Sequence, residues 1–261
     1  MLIGCCGDTR TYRIIRQMGY DYAELSGRQI MGLSEEEFQS FVSQDFDKAF
    51  PCVGFNDFCD KNLPLIGPAC ALPAQERYVQ ELCRRGARLG IFTIGIGAPS
   101  ARRLPDGYPR KRAKQEMTDF LRMACETADK SGITILLEAV HQYMCNYMNL
   151  TKEVWEIVRE QDLPNLAIVL DYYHAAVMRE NLHDLAYVMP CVRHLHFSTD
   201  LENHERGFPE EKDVSFLHQL LRETAAAGCR SQTISIEANP LKLIADGESG
   251  LRWMRLAAEG V

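Results

Sequence analysis

ITILLEAV, residues 133–140, is the stretch that decides the fold of this chain: an apolar, β-branched run of strand length that reaches a single carboxylate, Glu138. A continuous apolar run of this length is typical of a parallel strand buried on both faces. A carboxylate at the end of such a strand is costly to bury unless a partner compensates its charge. For one strand alone, a lysine or arginine in a loop is the simplest partner. The pattern returns three times downstream, and that repetition changes the interpretation.

Seven other apolar runs accompany this stretch, and amphipathic segments separate them. The eight predicted strands are Leu2–Cys6, Tyr22–Ser26, Phe50–Phe55, Phe92–Gly97, Ile133–Val140, Leu166–Asp171, Val192–Phe197 and Thr233–Glu237. Eight alternating strand–helix units without a linker predict an α/β fold, a (β/α)8 TIM barrel forming one domain over residues 1–261. A doubly wound sheet lacks support, because no glycine-rich turn of the dinucleotide-binding pattern follows the first strand.

Helix boundaries follow from capping residues and from glycines placed to end helices. The predicted helices are Thr11–Met18, a helix capped by Ser34 with Glu37, Ala74–Leu89, Lys111–Ser131, Thr151–Gln161 with Thr151 as its cap, Leu182–Met189, Val214–Ala227 and Gly250–Ala258.

Composition excludes several classes of partner. The 261 residues are 46% hydrophobic and carry a net charge of −7 with no basic block, which disfavours nucleic acid and anionic membranes as partners. No run of 18 apolar residues predicts a membrane span, and the opening Met1–Cys5 does not resemble a secretory signal. The ten cysteines lie mostly among apolar residues without zinc-site spacing, so we expect reduced thiols in a cytoplasmic protein.

The carboxyl ends of strands five to eight share one property: each bears a side chain that can ligate a metal. These side chains are Glu138, Asp171, His196 and Glu237. In a barrel these ends lie on one face, where active sites form. Three carboxylates and an imidazole would repel one another without a cation, so the sequence predicts a site for one divalent metal ion. Oxygen-rich ligation with one histidine favours Mn²⁺, with Co²⁺, Mg²⁺, Fe²⁺ or Zn²⁺ as alternatives.

Motifs across nearly the whole chain resemble one family. They are Asn56 with Leu63–Pro68, Gly97–Gly107, Leu137-Glu138 with Asn149, Asp171–His174, His194–His196 and Ser235–Asn239. Together they resemble the sugar phosphate isomerase/epimerase family of xylose-isomerase-like barrels, which includes ketose 3-epimerases and hydroxypyruvate-isomerase-like and inosose-dehydratase-like enzymes.

The resemblance implies roles for individual residues. It makes the four strand-end residues the metal ligands, and it implies that His174 and an arginine after the seventh strand, here Arg206, bind substrate oxygens. Arg206 is alternatively a solvated loop residue, and His174 a hydrogen-bonding residue at the end of its strand. Asn149 is expected either to bind near the site or to orient a loop. His194 is expected to face away from the side of the sheet that bears His196, or to stack behind it.

One stretch departs from the ketose 3-epimerase pattern. After Glu138 the chain has His141-Gln142-Tyr143-Met144 where those enzymes carry charged substrate contacts, and His141 is counted among the expected substrate contacts. This change makes the mouth more apolar. We expect either a lid over a bulkier or less hydroxylated substrate, or packing within a loop or dimer core, from Tyr143, Met144, Tyr147 and Met148.

The function implied is a metal-dependent isomerase or epimerase that removes a proton next to the carbonyl of a keto sugar, with Glu138 and Glu237 as its catalytic acid–base pair. The alternatives are a lyase or dehydratase acting on a sugar conjugate, with a partner subunit, and an endonuclease IV-like phosphodiesterase. The latter would need more histidines than seven and a basic surface. We expect a small-molecule substrate, no nucleic acid or membrane partner, and either a homo-oligomer or a partner subunit.

Overall fold

Thr134–Glu138 forms the fifth strand of a closed barrel of eight parallel strands, in a computed structural model that describes residues 1–199 and 205–261. Each strand pairs with the next, and β1 pairs with β8 to close the barrel. The strands are β1 Leu2–Gly7, β2 Tyr22–Ser26, β3 Cys52–Asn56, β4 Thr93–Ile96, β5 Thr134–Glu138, β6 Leu166–Asp171, β7 Val192–Phe197 and β8 Thr233–Ile236. The predicted (β/α)8 barrel is confirmed.

Helices cover the outside of the barrel. The described α-helices are α1 Tyr12–Gln17, α2 Gly27–Gly32, α3 Glu35–Ser40, α4 Leu72–Leu89, α5 Arg110–Asp129, α6 Thr151–Gln161, α7 Tyr172–Val177, α8 Val214–Ala226 and α9 Leu243–Ala258. Their ends follow local chemistry. Ser34 and Glu37 form the predicted capping box of α3, and Gly90 ends α4 in the left-handed conformation, with φ of 73°.

Four details of the helix prediction were wrong. The segment Leu182–Met189 forms only a short 3₁₀ turn, Leu182–Leu185, followed by a second at Met189–Cys191; Pro190 lies in the second turn and has no N–H to donate, so an α-helical turn does not close there. Helix α9 begins at Leu243 rather than Gly250. Helices α2 and α7 were not predicted. Thr151 is the first residue of α6 rather than its cap, and its hydroxyl donates to Glu180.

Alternation along β5 separates two environments. Ile135 and Leu137 belong to the main core between the barrel and its helices. Leu136 packs with Ala167 and Val169 in a small cluster of its own. Since residues two apart in a strand share a face, Glu138 lies on the same side as Leu136. The strand therefore presents its carboxylate on the face opposite the helices.

The described part of the chain contains all ten cysteines, and none of them forms a disulfide. Among the described residues, no helix combines the length and the apolar character that crossing a membrane requires.

Candidate metal centre

The four predicted ligands come together at the carboxyl ends of β5 to β8. Glu138 and Asp171 end their strands, His196 lies within β7, and Glu237 directly follows β8. One ligand atom from each of the four lies within 4.8 Å of the others. The parallel strands deliver these side chains to one face, as expected for a barrel.

The distances between the ligand atoms fit a shared cation. His196 Nδ1 lies 3.4 Å from Glu138 Oε1 and 3.2 Å from Glu237 Oε2. Two ligand atoms that each lie about 2.1 Å from an ion, with an angle of about 90° between them at the ion, are about 3 Å apart. Within the described residues, Glu138 Oε1 and His196 Nδ1 are buried without a hydrogen-bond partner. Buried polar atoms are rarely left without partners, so this pair of atoms suits a metal ion.

A second layer holds His196 in place, and the prediction for this layer was incomplete. His196 Nε2 lies 2.9 Å from Glu24 Oε2, and His194 Nε2 lies 2.9 Å from the same oxygen. Of the two expectations for His194, that it faces away from His196 was wrong, because residues two apart in a strand share a face, and that it stacks behind His196 is confirmed. Their rings meet edge to face at 5.0 Å. Glu24 was missed entirely; a lone acidic residue inside the apolar strand β2 was the available signal.

Burial and neighbouring charges shift the pKa values of the three carboxyl groups in different directions. Burial raises the pKa of Glu138 to about 7; nearby His196 opposes the shift and the charge of Glu237 adds to it. Burial also acts on Glu237, but the charges of Arg206 and His196 outweigh it and lower the pKa of that carboxyl. The pKa of Asp171 is likewise held well below its usual range, since Arg206 overcomes the effect of burial.

Arg206 contacts two of the four predicted ligands. Its Nη1 donates to Glu237 Oε2 at 2.7 Å, and its Nη2 donates to Asp171 Oδ2. The guanidinium lies 4.8 Å from the ring centre of Tyr173, and Nε donates to Ser198 Oγ at 3.1 Å. Arg206 is therefore a half-buried cation at the site rather than a solvated loop residue.

His174 and His141 form an imidazole pair beside the cluster. His174 Nε2 lies 3.8 Å from Asp171 Oδ2, and the two imidazole rings are 4.9 Å apart. Burial lowers the pKa of His174 to about 4 against the opposing charge of Asp171. His174 is thus neutral at pH 7 and lines the cavity above the ligands.

The loop after β5 divides into a supporting part and a part at the cavity. Asn149 donates its amide to the carbonyl oxygens of Val140 and Cys145, at 2.7 and 2.8 Å, so it orients this loop. Met144 lines the cavity, whereas Tyr143 is two-thirds exposed.

Two further loop residues, Tyr147 and Met148, are buried. The expected packing within the loop therefore holds for Tyr147 and Met148, whereas Met144 faces the cavity.

The cavity above the cluster has a volume of about 710 Å³. Its rim carries two ion pairs, Arg10 with Asp8 and Arg28 with Asp57. A cavity of this size falls within the range that holds small-molecule ligands. A second cavity, of about 870 Å³, lies between α7, α8 and α9 and contains none of the four ligands.

Two supporting residues near Glu138 were not predicted as part of the site. Arg102, wholly buried, donates from Nη1 to the backbone oxygen of Glu138 at 2.8 Å. Gly97 leaves room for the carboxylate, because a Cβ there would lie 2.3 Å from Glu138 Oε2. Both residues occur in the stretch after the fourth strand that carries the family resemblance.

The barrel fold agrees with comparison to known proteins. The chain belongs to the xylose isomerase-like TIM barrel family, whose model matches residues 12–256. It is 25% identical over 182 residues to 3-dehydro-D-guloside 4-epimerase of Escherichia coli (strain K12), covering 66% of each chain. It is 27% identical over 163 residues to a putative hydroxypyruvate isomerase of Danio rerio, covering 59% of this chain and 56% of that one.

The chain matches under two thirds of the length of these two curated relatives. The structure is also similar to D-psicose 3-epimerase of Clostridium cellulolyticum H10 solved with D-tagatose, with a TM-score of 0.79 over 99% of this chain and all of that one. At 14% identity, this likeness is evidence of shared fold alone.

Proposed function

We propose that the protein is a divalent-metal-dependent isomerase or epimerase that acts on a ketose or a related keto sugar. The observation that carries the proposal is the convergence of Glu138, Asp171, His196 and Glu237, with their ligand atoms within 4.8 Å of one another. The names of the curated relatives, an epimerase and putative isomerases of small keto compounds, support the same class of reaction.

These four residues would hold the ion, and their oxygen-rich composition suits Mn²⁺ best. When bound, a divalent cation supplies Lewis-acid stabilisation of negative charge on the substrate's carbonyl oxygen. Arg206 and neutral His174 line the same cavity and would bind and orient substrate oxygens. His141 supports His174 from behind.

Glu138 and Glu237 are the proposed acid–base pair. They come from the ends of different strands and each approaches His196 Nδ1, at 3.4 and 3.2 Å, which supports the inference that a substrate at the ligand cluster meets one carboxylate on each side. One removes the proton from the carbon next to the carbonyl, and the other returns a proton. Return to the opposite face of the same carbon gives an epimer, and return to the neighbouring carbon gives an isomer. Such general acid–base catalysis typically contributes about 10²–10⁴-fold to the rate.

A lyase or dehydratase acting on a sugar conjugate is the second candidate. Its support is the cavity wall, where Met144 replaces a charged substrate contact and Ala98, Pro99 and Val140 add further apolar surface. Such a wall suits a less hydroxylated or bulkier substrate. After proton removal, loss of a hydroxyl or alkoxyl group from the next carbon would give elimination.

Proton exchange with D₂O tests the proposal. The chain is stripped with a chelator, reloaded with Mn²⁺ or Co²⁺, and incubated in D₂O with D-tagatose, hydroxypyruvate and a 3-keto-glucoside. We expect deuterium beside the carbonyl of at least one compound with the loaded protein only, and none with Glu138→Gln or Glu237→Gln. Glu126→Gln, an exposed glutamate on α5, is the matched control. Mass spectra of the products distinguish isomerisation from elimination.

Exchange that persists after chelation would overturn the metal dependence. Normal exchange in either of the two site variants would overturn the acid–base assignment.

A further inference from the structure

Asn56 contacts the proposed catalytic pair from a strand that supplies no ligand. It is the last residue of β3, and it is 7% exposed. Its Nδ2 donates to Glu237 Oε1 at 3.1 Å, a contact that spans 181 residues of sequence. In the closed barrel β3 is not a neighbour of β8, so this hydrogen bond crosses the barrel mouth.

The two oxygens of Glu237 have different surroundings. Oε2 lies 3.2 Å from His196 Nδ1 and 2.7 Å from Arg206 Nη1, among the ligand atoms. Oε1 is turned away from that cluster and accepts from Asn56. A carboxylate accepts hydrogen bonds and only the NH₂ of an amide donates them, so the orientation of the Asn56 amide follows from chemistry.

We propose that Asn56 is a positioning residue for proton transfer: it fixes the rotation of the Glu237 carboxylate, so that Oε2 stays with the ligands and Oε1 serves as the oxygen that handles the proton. This inference rests on the proposed function. Without the hydrogen bond the carboxylate would be free to rotate about its last torsion, which would bring Oε1 among the ligand atoms as well. Small misplacements of a catalytic group are costly, of the order of 10²-fold for about 1 Å.

The test compares Asn56→Ala and Asn56→Asp with the wild type. Asn56→Ala removes the donor, and Asn56→Asp keeps the shape but places a carboxylate against Glu237. Asn62→Asp is the matched control, since the exposed Asn62 also donates its amide to a carboxylate, Asp60 Oδ2, at 3.2 Å. The readouts are kcat and KM on whichever panel compound the Mn²⁺-loaded wild type converts, Mn²⁺ affinity by calorimetry, and Tm.

We expect kcat to fall about 10- to 100-fold in Asn56→Ala, with KM and Mn²⁺ affinity unchanged, because only the oxygen outside the ligand cluster loses its partner. Asn56→Asp should lose more, and Asn62→Asp nothing. An unchanged kcat in Asn56→Ala would overturn the inference while the proposed function stands. A fall of kcat that is accompanied by a lower Tm and a weaker Mn²⁺ affinity would assign Asn56 a merely structural role and would also overturn the inference. A wild type that neither binds Mn²⁺ nor exchanges protons would overturn both proposals.

Discussion

His196 and Glu24 form a buried hydrogen bond of 2.9 Å between Nε2 and Oε2, which leaves Nδ1 of His196 directed at Glu138 and Glu237. Burial opposes the ionised form of Glu24, but the charges of His196 and His194 outweigh it and hold the pKa of this carboxyl well below its usual range. An ionised Glu24 accepts a hydrogen bond from Nε2 and so keeps the proton on that nitrogen; when the imidazole gives up its other proton to bind a cation, the lone pair lies on Nδ1. Carboxylates of this kind orient histidine ligands in metal sites.

Replacing Glu24 with glutamine should therefore lower the Mn²⁺ affinity, although it changes none of the four predicted ligands. The amide can present its NH₂ to Nε2 and reverse the tautomer, so we expect Mn²⁺ affinity to fall about 10- to 100-fold. Calorimetric titration with Mn²⁺ measures the change, and Glu76→Gln, at an exposed position of α4, serves as the control. A dissociation constant equal to that of the wild type would contradict the claim that Glu24 orients His196 for metal binding.

Gly97→Ala should displace Glu138. The added Cβ would lie 2.3 Å from Glu138 Oε2, far inside van der Waals contact, so the carboxylate has to rotate away from the cluster. We expect turnover and Mn²⁺ affinity to fall together, by at least about tenfold. Gly95→Ala, two residues earlier, is a close control, because its Cβ would meet only ordinary contacts at 3.5 Å or more. Equal behaviour of the two variants in the same titration would contradict this explanation.

Arg102→Met should lower both stability and activity. The guanidinium is wholly buried and donates to the backbone oxygens of Glu138 and Met148, at 2.8 and 3.3 Å. Methionine fills similar space but leaves these two carbonyl groups without their donors, so the free energy of unfolding should fall by about 2 kcal/mol.

The neighbouring Arg103 provides the comparison for Arg102, because it is exposed and also donates to a backbone oxygen of the loop, that of Met144. Arg103→Met should change the free energy of unfolding by less than about 0.5 kcal/mol in the same urea denaturation. If the two variants prove equally stable, the buried arginine does not support Glu138 as described.

The strand ends could be predicted because they depend on one general property of barrels. Carboxyl ends of parallel strands share a face, so an acidic residue or histidine after an apolar run is placed without knowledge of the packing. This reasoning located Glu138, Asp171, His196 and Glu237. It could not find Glu24, which contributes from the middle of β2, where side-chain contacts across the barrel with His194 and His196 of β7 decide its surroundings.

Two other differences had local signals that went unused. The period of two along a strand already places His194 and His196 on one face. Asp171 precedes a helix that the sequence analysis omitted: its carboxylate accepts from the backbone of Tyr173 at 2.7 Å and of His174 at 3.3 Å, as a helix cap does. The same aspartate therefore serves as both a helix cap and a candidate ligand. By contrast, the crossing from Asn56 to Glu237 joins residues 181 apart and carries no signal in a single sequence.

The most direct measurement of the central claim is the stoichiometry of Mn²⁺ bound to the metal-stripped protein, taken by calorimetry and checked by elemental analysis. The account predicts one ion per chain, loss of that binding in Asp171→Asn, and its retention in Asp129→Asn, a change at an exposed aspartate on α5. No uptake of Mn²⁺, Co²⁺ or Zn²⁺ by the wild type, or undiminished uptake by Asp171→Asn, would contradict it.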